Sequence, residues 1–216
     1  MPKLILISNR LPVTVDQTKS GDLDFKPSVG GLATGMSSLS KTYPCVWVGF
    51  SGIAAASVSP KMMKTIDSHL VKNFDSYPVR LNQDELELYY NGFSNKTIWP
   101  LFHYFPYFTS FDDRTWESYR EVNERFFETL KKIYERGDII WVHDYHLMLL
   151  PGIIRRNIPD AKIGFFLHIP FPSYEVFRLL PWRHEVLSGI LGSDLIGFHT
   201  FGYVRHFLSS VQRIIG

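Results

Sequence analysis

Three short apolar runs decide how this chain is read: Ile139-Ile140-Trp141-Val142, Ile163-Gly164-Phe165-Phe166-Leu167 and Leu195-Ile196-Gly197-Phe198. Each is too short for a buried helix and rich in β-branched or aromatic residues, so each reads as a strand covered on both faces. Helical segments separate and follow them. Leu149 to Arg156 tolerates Pro151 in its first turn, Tyr174 to Leu191 is broken at Pro181, and Phe201 to Ile215 closes the series. Strand and helix in strict alternation predict an α/β fold, a Rossmann-like parallel sheet flanked by helices.

Upstream, Trp116, Tyr119, Val122, Phe126, Leu130 and Ile133 recur every three or four residues. That spacing predicts an amphipathic helix from about Arg114 to Arg136, capped by Asp112 or Asp113 and ended by Gly137. Leu4-Ile5-Leu6-Ile7 and Val46-Trp47-Val48-Gly49 read as further buried strands, and residues 11–28 as a hairpin or mobile loop. Gly30-Gly31 opens a helix to about Leu39, and another spans Lys61 to Lys72. Val79-Arg80-Leu81 reads as a strand and Asp84 to Tyr90 as a short helix. The chain ends as its last helix finishes, which reads as a piece of a longer protein.

The 216 residues suffice for one large domain with a sizeable core. Lys and Arg total 23 against 21 Asp and Glu, a balance that gives no reason to expect nucleic acid or a membrane surface as partner. The apolar run at the N-terminus is too short for a signal peptide, and no stretch approaches a membrane span. The single cysteine, Cys45, cannot form an internal disulfide, which fits a cytoplasmic location.

In open parallel sheets ligands bind beyond the carboxyl ends of the strands. Those ends carry Ser8-Asn9-Arg10, His143-Asp144-Tyr145-His146, His168 and His199. Arg10 reads as a phosphate clamp or a surface ion pair. Gly30-Gly31 reads as a phosphate-approaching turn or a plain one, and matches neither the dinucleotide fingerprint nor a Walker loop. Asp144 is suited to orienting a sugar hydroxyl. His143 and His146, three apart, admit a metal reading, but no second ligand cluster accompanies them and no metal is expected. His168 is either a core histidine or a ligand contact. The aromatics from Trp99 to Phe111 are core by default, with one or two rings free to stack on a sugar.

These residues fall in segments with a resemblance. Ser8-Asn9-Arg10, Gly30-Gly31-Leu32, Tyr89-Tyr90-Asn91-Gly92-Phe93-Ser94-Asn95, Trp99-Pro100-Leu101-Phe102-His103-Tyr104, Trp141 to His146, Phe165 to Pro172 and Gly197-Phe198-His199-Thr200 occur in that order. The set resembles the trehalose-6-phosphate synthases, the retaining GT-B glycosyltransferases of family 20. The resemblance implies that residues 1–216 are the N-terminal, acceptor-binding Rossmann-like domain, the C-terminal donor-binding domain lying outside this chain. It implies transfer of glucose from UDP-glucose, or another nucleoside diphosphate glucose, to glucose 6-phosphate without a metal or other cofactor. By the same resemblance Arg10, Tyr90, Trp99 and Asp144 serve the acceptor, Gly31 and His168 the donor, and Asp144 and His168 the reacting centre. The donor domain is the implied partner, and a homo-oligomer is left open. Phe50 departs from the pattern, standing where many members carry tryptophan; it keeps an aromatic face and loses an N–H donor. That change keeps one alternative beside the main reading, a glucosylglycerol-phosphate synthase using glycerol 3-phosphate. A second alternative, a non-catalytic regulatory subunit that binds sugar phosphate, rests on the C-terminal half outside this chain, and the presence of Arg10, Tyr90, Trp99, Asp144 and His168 argues against it.

Overall fold

The computed structural model describes residues 2–17, 23–28, 35, 43–55 and 57–216. Six strands form one parallel sheet: β1 (Leu4–Arg10), β4 (Cys45–Phe50), β5 (Ser76–Val79), β6 (Ile139–His143), β7 (Lys162–Leu167) and β8 (Leu195–Phe198). Their order is β5-β4-β1-β6-β7-β8. β2 (Val13–Gln17) and β3 (Leu23–Pro27) pair antiparallel as a separate ribbon, the hairpin expected of residues 11–28. The predicted helix opening at Gly30-Gly31 lies outside the described residues.

Alternation along β1 builds both faces of the core. Ile5 and Ile7 point into one apolar cluster, and Leu4 and Leu6 into the other. The second cluster is closed by Ile66 and Leu70 of α1 (Pro60–Phe74) and by Val13 and Val15 of the hairpin. The first face is larger. It is covered by α4 (Asp113–Lys131), α5 (Leu150–Asn157) and α7 (Arg183–Ile190), with α6 (Tyr174–Phe177) and α8 (Phe201–Ile214) toward β8.

Three elements differ from the reading of the sequence. The strand expected at Val79-Arg80-Leu81 lies earlier, at Ser76–Val79, because it must register with Trp47 to Phe50 of β4. The long amphipathic helix ends at Lys131 rather than near Arg136; two further turns carry the chain to Gly137, which has a positive φ of 101°. The short helix expected at Asp84 to Tyr90 is only the start of a longer run. A one-turn α2 (Gln83–Glu85), capped by a reciprocal Asn82–Glu85 box, leads into a π-helical segment, Leu86–Ile98, and then α3 (Trp99–Phe102). Its i→i+5 bonding buries Tyr89, Gly92, Phe93, Ser94, Thr97 and Ile98; half of these are Gly, Ser or Thr, so no apolar stripe marks the buried face in the sequence. Gly92 is required there: a Cβ would come within 2.8 Å of Thr115 on α4.

Candidate active site

Strand order reverses between β1 and β6. Helical crossovers leave a crevice at such a switch point, beyond the carboxyl ends of the two strands. β1 delivers Arg10 there and β6 delivers His143 and then Asp144. Arg10 is exposed, and among the described residues it faces no carboxylate. Its guanidinium carbon instead lies 5.5 Å from the ring centre of Phe50 and 5.9 Å from that of Tyr90. Two aromatic faces thus hold a cation without neutralising it. Phe50 is buried, so its ring supports Arg10 from beneath instead of opening to the crevice. Gly52, with φ of 97°, completes this wall; only glycine adopts that backbone without strain.

Tyr90 stacks on His146 at 5.6 Å, and His146 in turn lies 3.9 Å from the Tyr145 ring. Burial, and secondarily the charge of Arg10, lower the His146 pKa to about 3, so this ring is neutral and adds no competing positive charge. The 3₁₀ turn Tyr145–Leu147 is held from below. The Tyr119 hydroxyl donates to the Tyr145 carbonyl at 2.8 Å and accepts from the Met148 N–H at 3.0 Å, while the Asn123 amide donates to the His146 carbonyl.

Asp144 sits at φ 75°, ψ 170°, a region that non-glycine residues occupy at a cost of about 1–3 kcal/mol. The conformation is fixed from β7: the Asp144 N–H donates to the Phe166 carbonyl at 2.8 Å, and the His168 N–H donates to Asp144 Oδ1 at 3.1 Å. Burial raises the carboxyl pKa to about 6, opposed by the N–H groups of Tyr145 and His168 and then by His199 and His103. His168 lies beside it, 5.6 Å from the His199 ring, with its Nε2 3.1 Å from Nδ1 of His143. Trp99, 42% exposed, stacks on His103 at 4.1 Å, and the His103 Nδ1 lies 2.7 Å from the Trp99 carbonyl.

Arg10 with Tyr90, and Asp144 with His168, therefore lie along one sheet edge, and Trp99 stacks on His103, which acts electrostatically on Asp144. Gly31 lies outside the described residues. The side chains of His143-Asp144-Tyr145-His146 diverge: His143 turns to His168 and His146 packs between tyrosines. Among the described residues no group of three His, Cys, Asp or Glu is placed to hold a metal ion. No described helix is long and apolar enough to cross a membrane. His103, Asn95 (which accepts from the Tyr145 hydroxyl at 3.2 Å) and Asn9 (which accepts from Tyr89 at 3.0 Å) were not singled out in the sequence. Only Asn9, beside Arg10 at a strand end, carried a signal that could have found it.

A doubly wound sheet with its polar edge at the switch point is the N-terminal domain fold of GT-B glycosyltransferases. The chain belongs to glycosyltransferase family 20, whose profile matches residues 2–216. It is 46% identical over 218 residues to an alpha,alpha-trehalose-phosphate synthase [UDP-forming] of Emericella nidulans, covering 99% of this chain and 43% of that one. A UDP-forming synthase of Burkholderia xenovorans, solved in complex with glucose-6-phosphate, superposes with a TM-score of 0.79 at 30% identity, over 98% of this chain and 43% of that one. The N-terminal domain of a Candida albicans trehalose-6-phosphate phosphatase superposes at 0.82 with 29% identity, over 100% of this chain and 44% of that one. The chain thus spans less than half the length of these relatives.

Proposed function

We propose that this chain forms the acceptor side of a retaining glucosyltransferase that moves glucose from UDP-glucose, or another nucleoside diphosphate glucose, to glucose 6-phosphate, giving trehalose 6-phosphate. The observation that carries this reading is the Arg10 guanidinium, exposed and, among the described residues, without a carboxylate partner, at the same strand-order switch point as the buried Asp144. A dianionic phosphate is the natural counterpart of the first, and sugar hydroxyls of the second. The likeness to the Emericella and Burkholderia synthases supports it.

In the reaction, the acceptor's anomeric hydroxyl oxygen bonds to C1 of the donor glucose as the bond from C1 to the diphosphate breaks. The hydroxyl proton passes to an oxygen of the leaving diphosphate. Arg10, assisted by Tyr90, clamps the acceptor phosphate, and the open face of Trp99 lines the sugar. Asp144 accepts hydrogen bonds from acceptor hydroxyls, and His168 touches the donor glucose near the breaking bond. Gly31 approaches the donor diphosphate, and a C-terminal donor domain supplies the remaining contacts. Closure of the two halves excludes water, which would otherwise divert the glucose to hydrolysis. The free, half-buried Cys45 thiol suits a cytoplasmic setting.

Replacing Arg10 with alanine removes a charge-assisted pair of hydrogen bonds, each worth about 1.5–3 kcal/mol. The expected outcome is an acceptor KM raised at least about 10–100-fold, with the donor dissociation constant unchanged. An unchanged acceptor KM would remove Arg10 from this role. A second reading is a sugar-phosphate-binding module without transfer, since a domain of this fold also stands at the N-terminus of the Candida trehalose-6-phosphate phosphatase. It predicts glucose 6-phosphate binding with no nucleotide release.

A further inference from the structure

The environment of His143 extends this reading of the site. His143 is 1% exposed, and its two ring nitrogens are treated differently. Nδ1 lies 3.1 Å from Nε2 of His168, whereas Nε2 is buried and, among the described residues, has no hydrogen-bond partner. One proton is shared across the Nδ1–Nε2 contact, and two arrangements place it. If His168 donates, His143 must carry its own proton on Nε2, leaving a buried N–H with nothing to accept it. If His143 donates from Nδ1, the unpartnered Nε2 holds only a lone pair. Orphaned buried N–H groups are rarer in proteins than orphaned acceptors, so the second arrangement is preferred. Its consequence falls on His168: with Nε2 accepting, the neutral ring must carry its proton on Nδ1.

We propose that His143 is a positioning residue that donates Nδ1–H to Nε2 of His168 and so presents His168 to the sugar as an Nδ1–H donor. Two further observations fit. Burial, with His168 beside it, lowers the His143 pKa to about 3, and burial also lowers that of His168, so neither ring competes as a cation near neutral pH. The backbone N–H of His168 is bonded to Asp144 Oδ1, so His168 is anchored at main chain and ring alike. A fixed tautomer gives a donor that needs no rearrangement when charge develops on a sugar or phosphate oxygen. The bond to a ligand rests on the function proposed above; the tautomer does not.

The test is ring ¹⁵N NMR of the full-length protein labelled at histidine, with the His168 signals identified by their loss in His168→Gln. The expected result is protonated Nδ1 and bare Nε2 at His168. His143→Leu should scramble that preference and lower kcat about 10–100-fold, the usual size of such supporting contacts, with acceptor KM changed less than about 3-fold. His143→Asn keeps an N–H donor near the Nδ1 position and should restore both the tautomer and most of kcat. A proton on Nε2 of His168 in the native protein, or the same His168 tautomer in His143→Leu and His143→Asn, would overturn the proposal. If the leucine variant does not fold, the native and asparagine spectra decide. If the protein transfers no glucose, the function above fails while the spectra still settle the tautomer.

Discussion

At the scale of single residues, Asp144 holds two unfavourable states at once. Its backbone occupies a region suited to glycine, and its carboxyl is buried enough to titrate near 6. An unfolded aspartate titrates near 3.9. Between those values the folded chain binds more protons than the unfolded one, so this group's contribution to stability falls as pH rises through the window and is least favourable above about 6. Asparagine tolerates positive φ and still offers an oxygen to the His168 N–H. Asp144→Asn should therefore raise Tm by a few degrees at pH 8, with the difference vanishing below about pH 4. Thermal melts across that range check it, and a Tm gain independent of pH would mean that desolvation of the carboxylate is not the cause.

At the scale of elements, α5 and α7 pack closely over one face of the sheet. Gly152 and Gly189 face each other there: a Cβ on Gly152 would come within 3.0 Å of the Gly189 Cα, and one on Gly189 would meet the Leu149 Cα at 2.7 Å. Helix propensity alone makes Gly→Ala stabilising by up to about 1 kcal/mol. Packing reverses the sign, because backbone must move aside. Gly189→Ala should cost about 1–3 kcal/mol, read as a lower denaturation midpoint; a higher midpoint would show that the two helices separate freely. The same elements show what sequence could and could not display. β6, β7 and β8 were legible because buried parallel strands are short, apolar and punctuated. The π-helical Leu86–Ile98 was not, since three of its buried positions, Gly92, Ser94 and Thr97, carry no large apolar side chain and its buried face is defined by packing against α4.

At the scale of the molecule, the switch point between β1 and β6 follows from strand order, and strand order is not written in any one segment. The strand-end rule nonetheless located Arg10, Asp144 and His168, because polar residues directly after apolar strands must emerge at one edge. Tyr90 and Trp99 came only from family resemblance: nothing local distinguishes an exposed Trp99 from the buried Trp116. The contacts of His143 and His103 were hidden for a related reason, since their partners, His168 and the Trp99 ring, are defined by folding rather than by spacing. Phe50 illustrates the converse. Its departure from the family pattern pointed to the acceptor, whereas its ring is buried under the Arg10 guanidinium.

The most direct measurement is nucleotide release by the full-length protein with UDP-glucose, comparing glucose 6-phosphate with glycerol 3-phosphate as acceptor. The account predicts release that depends on glucose 6-phosphate, with trehalose 6-phosphate as product. Release driven by glycerol 3-phosphate alone, or tight glucose 6-phosphate binding without any release, would contradict it.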